Sequence, residues 1–306
     1  MSKSSWKRAG VALTAVAVVT GVAGCQDGDG KAAGAKTTGP GDVTKVLTAA
    51  YEKTSAAKSA KVKMTMTMEG TGADSGTAEL SGVQGWDPAV MDITMKGSML
   101  SAGDPEAPEQ IRMLMLDNVM YMDMGAKQAA EMDGKRWMKL DLQAAAKASG
   151  DKDLQKQMTG GLESMNQDPA QQLALLLDSP DLKHVGAEKI NGMETQHYKG
   201  TLTFEQMLKA NETSKVLPKE DYDKLIENVK KTGLQGYETE IWVNGDGYPA
   251  RMDIGMKMKQ GSMTMRADYS DYGARAAVQA PPAGETVDLF KMLQEIGQAG
   301  AGASQG

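Results

Sequence analysis

The chain has 306 residues, with 34 Lys and Arg against 40 Asp and Glu, a formal charge of −6, and a single cysteine. An acidic balance without clustered Lys and Arg excludes nucleic acid as a partner, because phosphate recognition needs concentrated positive charge. One thiol cannot close an internal disulfide, so a folded domain here must stand on its hydrophobic core, which more than about 200 residues can supply.

The first element is a leader. Lys3, Lys7 and Arg8 are followed by an uncharged run from Ala9 to Val22, which closes on Val22-Ala23-Gly24-Cys25. The run is too short for a permanent span and suits the apolar core of a secretory signal over residues 1–24. Its last four residues resemble the lipobox of bacterial lipoproteins. That resemblance implies diacylglycerol transfer to the Cys25 thiol, cleavage before it and acylation of the new amino terminus. At about 0.8 kcal/mol per buried methylene, two or three chains hold a protein at a membrane for good. No other cofactor is expected. Cleavage removes three cations and no acid, leaving a formal charge of about −9. The expected location is the outer face of the cytoplasmic membrane, and Gln26 is not the Asp that marks inner-membrane retention where there are two membranes.

After Cys25 and Gln26, the remainder of residues 25–41 is Gly, Ala, Thr, Lys, Asp and one Pro, with no large apolar side chain, which predicts a flexible tether. The folded domain is expected over 42–290, and 291–306 should hold the end of a C-terminal helix and a Gly/Ala tail. Asp42 is expected to cap a first helix with Val43, Val46, Leu47, Ala50 and Tyr51 on one stripe. Strands follow. Val62, Met64, Met66 and Met68 alternate with Lys61, Lys63, Thr65, Thr67 and Glu69, and the same period recurs in Met91, Ile93 and Met95. It returns in Met120, Met122 and Met124, in Met252, Ile254, Met256 and Met258, and in Met263 and Met265. Alternation at a period of two puts every apolar side chain on one face of a half-buried antiparallel strand.

Turn residues punctuate these runs at Asp117-Asn118, Asn191-Gly192, Asn244-Gly245-Asp246-Gly247 and Gln260-Gly261. Asn191-Gly192 predicts a tight hairpin between Lys183–Ile190 and Met193–Phe204. A middle block, Leu142 to Asp178, has helical composition, with a clear start at Asp168-Pro169 and Leu173, Leu176 and Leu177 along one side. Shorter helices are expected over Phe204–Asn211 and from Pro218 to Gly233, the latter with Tyr222, Leu225, Ile226 and Val229 as its apolar side. In all, about nine to eleven strands and a few helices predict an α+β fold. The expected architecture is a single large, strongly curved antiparallel sheet, an incomplete barrel with helices over its concave apolar face. No strand–helix alternation supports a parallel sheet.

Several stretches resemble a known group. They are His184-Val185-Gly186-Ala187-Glu188-Lys189-Ile190-Asn191-Gly192 with Thr195-Gln196-His197-Tyr198-Lys199-Gly200, Ile241-Trp242-Val243-Asn244 through Tyr248-Pro249-Ala250-Arg251, and Tyr269-Ser270-Asp271-Tyr272-Gly273 reaching Pro281-Pro282. They resemble export lipoproteins of the LppX/LprG type, themselves similar to the LolA carrier. The resemblance implies an apolar cavity between sheet and helices that takes acyl chains, and a role in carrying lipids or holding them at the envelope, with an export partner there.

The methionines bear on that expectation. The chain has 24 of them and only two phenylalanines. Unbranched thioethers adapt to irregular partners where β-branched residues lock one shape, so a Met face would tolerate acyl chains of varied length. The candidate lining is Val62, Met64, Met66, Met68, Met91, Ile93, Met95, Met113, Met115, Met120, Met122, Met124, Tyr198, Ile241, Met252, Ile254, Met256, Met258, Met263 and Met265. Two rivals remain open. Met64-x-Met66-x-Met68 and Met120-x-Met122-x-Met124 have the spacing of a copper(I) site, although no metal is expected because the thioethers fall in the apolar phase. Alternatively the fold serves as an envelope sensor or scaffold with a filled core. Catalytic patterns are absent: there is no Gly-x-Ser-x-Gly elbow, no His-Glu-x-x-His and no phosphate loop, so no enzyme activity is expected. His197 falls in the polar phase, which predicts a solvated or capping role.

Overall fold

The computed structural model describes residues 40–70, 75–101, 107–141, 144, 168–206, 226–227, 229, 231, 233–234 and 236–292. The expected signal, Cys25 and most of the tether fall outside them, as do most of 142–167, 207–225 and the expected C-terminal tail. Helix α1 is Pro40–Ala57, opening two residues before the expected start, so Asp42 lies in its first turn rather than capping it. A proline at this point has no N–H to leave unpaired. The buried stripe is Val43, Leu47, Ala50 and Thr54, spaced as one helix face requires. Val46 and Tyr51, expected on that stripe, are 37% and 38% exposed. The helix is clasped along one line only, so the buried arc is narrower than the apolar arc.

Six strands follow: β1 (Ser59–Gly70), β2 (Gly76–Trp86), β3 (Ala89–Lys96), β4 (Gln110–Leu116), β5 (Val119–Asp123) and β6 (Trp137–Asp141). Short helices α2 (Ser98–Ser101) and α3 (Gly125–Glu131) interrupt them. Helix α4, Pro169–Leu177, begins as expected, with the Asp168 side chain accepting from Ala170 N at 2.8 Å. Then come β7 (Lys183–Ile190), β8 (Met193–Leu202), β9 (Tyr237–Asn244), β10 (Pro249–Met258), β11 (Gly261–Ser270) and the three-residue β12 (Thr286–Asp288).

The twelve described strands form one open sheet in the order β12-β6-β5-β4-β3-β2-β1-β11-β10-β9-β8-β7. Every pairing is antiparallel except β12 beside β6, a parallel contact the sequence pattern did not announce. The tight turns obey their chemistry. Asp117 and Asn118 have φ of 53° and 61°, and Asn191 and Gly192 have 50° and 83°, both pairs as a primed hairpin turn needs. The β7–β8 hairpin follows the expected boundary on its first strand, but β8 stops at Leu202 because Phe204 is already helical.

Gly82 sits where neighbouring backbones come close. It pairs with Val62 on one side and Ile93 on the other, and a Cβ there would collide with the Asp92 carbonyl. A strand glycine of this kind lets neighbouring backbones close in and a sheet curl. At the β7 edge, Val185 is left out of the ladder between His184 and Gly186 and is 52% exposed. A bulge with flanking lysines discourages edge-to-edge pairing.

The candidate ligand face

Because side chains alternate along a strand and paired residues share a face, the ladder registers define the inner face row by row. One row runs Tyr269, Val62, Gly82, Ile93, Met113, Met122, Met138 and Val287 across β11, β1, β2, β3, β4, β5, β6 and β12. Beside it lies Met252, Ala267, Met64, Leu80, Met95 and Ile111. On the far side, Gln84, Met91, Met115, Met120 and Leu140 follow one another from β2 to β6. Toward the open ends of β1 and β11, Ile254, Met265 and Met66 are neighbours, then Met256, Met263 and Met68. Among the described positions of β1–β6 and β9–β12 that share this face, none carries a charge.

The candidate residues divide by burial. Val62, Met91, Ile93, Met115, Met120, Tyr198, Ile241, Met252 and Ile254 are buried. Met64, Met66, Met68, Met95, Met113, Met122, Met256, Met263 and Met265 are half-buried on the same face. Two fall away from it. Met258 is exposed at the end of β10, and Met124 lies beyond β5, at the N-terminal boundary of α3. That second displacement leaves Met120 and Met122 as a pair, so the second Met-x-Met-x-Met run does not line up three thioethers on one strand.

Helices cover part of this face tightly. Val43, Leu47 and Ala50 of α1 and Leu173 and Leu176 of α4 pack with Tyr198, Ile241, Val243 and Met252. Here the space is filled, so Tyr198, Ile241 and Met252 belong to a solid core. A second cluster holds Val62, Met91, Ile93, Met115 and Ala267, with Met64, Leu80, Ala89, Met113 and Tyr269 against it. Every one of those ten residues comes from the sheet. Tyr269 touches both clusters and stands at their boundary.

The electrostatics agree with an uncharged interior. Burial pushes the phenols of Tyr198 and Tyr237 above their ordinary value. Burial raises Tyr269 as well, with the nearby Asp168 carboxylate adding to it. Tyr272, likewise held neutral, donates to the Pro249 carbonyl at 2.9 Å and stacks on Tyr248 with centroids 4.4 Å apart. Thr54 Oγ1 is buried on the inner side of α1 without a hydrogen-bond partner.

Charge is concentrated on the outer face. Cross-strand pairs there include Arg112 with Asp92, Arg266 with Asp253 and Arg251 with Asp268. Asp123 accepts two bonds from Arg136, at 2.6 and 2.7 Å, and one from Gly125 N. Burial alone would raise the Asp123 carboxyl, but these donors hold it below the usual range. His197 corrects the expectation of a solvated group. It is on the polar face but only 8% exposed, stacked on Trp242 at 4.2 Å, with Nε2 2.7 Å from Glu240 Oε2 though out of hydrogen-bond alignment. Trp242 Nε1 donates to Glu188 at 2.7 Å, which completes a packed patch with Ile190 and Ala250. Glu188, His197 and Trp242 all lie in the family-like stretches, and no period in the sequence reveals that they meet. Among the described residues, no group of three or more His, Cys, Asp or Glu could hold a metal, and no helix is long and apolar enough to cross a membrane.

No protein-family model matches the chain. It is 29% identical to an uncharacterised 31.2 kDa Streptomyces griseus protein encoded between rplA and rplJ, over 80% of this chain and 79% of that one. A Streptomyces coelicolor protein whose name reads "putative lipoprotein" is 25% identical over 72% of this chain and 67% of its own length. Among solved structures the chain is similar to the Mycobacterium tuberculosis lipoprotein LppX, with 12% identity, TM-score 0.43, and 79% of this chain and all of that one covered. It is also similar to LprF of Mycobacterium bovis, with 15% identity, TM-score 0.42, and 81% of this chain and all of that one covered. A LolA-superfamily protein of Nitrosomonas europaea matches with 10% identity and TM-score 0.24, over 78% of this chain and 94% of that one. The three solved structures carry names of the kind the sequence stretches resemble. At such identities the function has to be argued from this chain's own residues.

Proposed function

We propose that the protein is an exported lipoprotein, anchored through Cys25, that binds the acyl chains of a lipid against the methionine-rich half of its inner sheet face. The observation that carries this reading is the uncharged face running in register across the sheet. Described helices fill its β8–β10 end, while the methionine-bearing rows of β1, β3–β5 and β11 pack among sheet residues. Burying acyl methylenes against such a wall releases about 0.8 kcal/mol each, so a single chain of ordinary length binds usefully even after ordering costs. Thioethers on a pleated sheet adjust to the chain instead of dictating its shape. Binding and release need no covalent step, and no catalytic residue is assigned. The name of the Streptomyces coelicolor relative and the likeness to LppX favour the same reading. The cargo would be carried or retained at the outer face of the cytoplasmic membrane.

The test is to produce the chain with Cys25→Ser, extract it with organic solvent and identify what co-purifies by mass spectrometry. The reading expects a reproducible acylated species in near-stoichiometric amount. An empty protein that also fails to bind anthroyloxy-labelled stearate would leave a filled scaffold instead.

A further inference from the structure

The ladder registers gather five thioethers into one patch that the sequence scatters over 200 positions. Met66 pairs with Met265, Met68 pairs with Met263, and Met263 pairs in turn with Met256. Directly paired side chains stand roughly 5 Å apart at Cβ, so the five form a continuous surface. All five are half-buried, whereas Met91, Met115, Met120 and Met252 are at most 8% exposed. Their neighbours on β2 are Ala78 and Gly76, which bring no bulk to the patch. Leucine would serve these positions equally well as an apolar residue, so packing alone does not call for sulfur there. What methionine adds is flexibility and an oxidisable sulfur.

We propose that Met66, Met68, Met256, Met263 and Met265 are a modification site, where oxidation to sulfoxide lowers the affinity of the face for its acyl ligand. This inference rests on the acyl-binding reading above. The oxidant is a peroxide: its terminal oxygen transfers to the thioether sulfur, the O–O bond breaks, sulfur gives up two electrons and the peroxide is reduced to water. The product is a polar, chiral acceptor where an apolar wall stood, and a hydrocarbon chain cannot satisfy it. Several such groups side by side turn a greasy surface into one that prefers water. Methionine sulfoxide reductases reverse the change, so binding is regulated and not destroyed.

The test uses the full chain and limiting hydrogen peroxide, with peptide mass spectrometry to place each added oxygen. The five patch methionines, together with exposed Met193 and Met258, should be modified well before Met91, Met115, Met120 and Met252. Affinity for anthroyloxy-labelled stearate should fall at least about tenfold in the modified protein and return after reductase treatment. In a variant with all five changed to Leu, peroxide should no longer lower probe affinity relative to that variant's own untreated value. The proposal is overturned if the five react as slowly as the buried four, or if modified protein binds the probe unchanged. The map of oxidised positions needs no variant and no ligand, so it decides accessibility by itself. Failure of the untreated protein to bind the probe sinks the acyl-binding reading instead.

Discussion

The helix-covered end of the sheet and its methionine-rich half share one face but solve different problems. Under α1 and α4, Leu47, Leu173, Leu176 and Ile241 are fully excluded from water and interlock with Tyr198 and Val243. Across β1, β4 and β11 the same face also carries Met64, Met66, Met113 and Met265, all half-buried beside the buried Val62, Met91, Ile93 and Met115, with Gly82 of β2 and Ala267 between larger neighbours. Dense packing of branched residues fixes one structure, whereas loosely enclosed thioethers leave a surface able to reshape. Stability should therefore reside at the first end and binding at the second.

The sharpest way to break that contrast is to truncate at both ends. Leu173→Ala should cost about 3–5 kcal/mol in urea or thermal unfolding, since it opens a cavity in a sealed core. Met265→Ala should cost below about 1.5 kcal/mol and instead weaken acyl-probe binding. Equal losses at the two positions would contradict the division. Next in size is Gly82→Ala, where the new methyl meets the Asp92 backbone. Because backbone must move, a loss of about 2 kcal/mol is expected in the same unfolding measurement.

Met113→Glu puts a carboxylate into the half-buried rows. Stability should fall by about 1–2 kcal/mol, because the flexible side chain can turn toward water, while probe affinity drops more than about tenfold. Ser81→Glu, on the opposite face and exposed, should change stability by no more than about 0.5 kcal/mol and leave titrations with the probe unaltered.

The smallest effect concerns acid. Hydrogen bonds from Ser179 and from the Thr201 side chain and backbone hold the Asp181 carboxyl down at about 2. A depressed carboxylate adds stability above its unfolded value, near 4, and loses that contribution as pH falls toward 2. Asp181→Asn should therefore be less stable at neutral pH, by about 1 kcal/mol or less because the group is exposed, and show a flatter decline between pH 4 and 2. An unchanged slope in acid unfolding would show that these bonds carry no weight.

Much of this architecture could be read from local chemistry. Period-two alternation in β1 and β10 placed their methionines on one face, and Asn191-Gly192 and Asp168-Pro169 marked a hairpin and a helix start. Features that depend on distant partners escaped. Thr286–Asp288 is too short to carry a pattern, and its parallel pairing with β6 follows only from where the chain returns. Helix α3 lies in Gly125–Glu131, which has no apolar stripe, and its first residue cuts Met124 off from the strand it seemed to extend. Val46 looked like a core residue because helix periodicity shows which face is apolar, not how wide a neighbour covers it. His197 is buried by Trp242, its ladder partner on the next strand though far off in sequence, and alternation assigned its face correctly but not its surroundings. For the candidate site, chain order showed that the methionines point one way; only registers show which of them touch.

The most direct measurement is a photo-crosslinking map with a diazirine-bearing fatty acid. Irradiation followed by peptide sequencing should place adducts on the inner-face residues of β1, β3–β5 and β11, centred on Met66, Met113, Met122 and Met265, and competition with unlabelled lipid should erase them. Adducts scattered over the outer face around Arg112 and Arg266, or confined to exposed Val185 and Met193, would contradict the claim that the thioether wall holds the ligand.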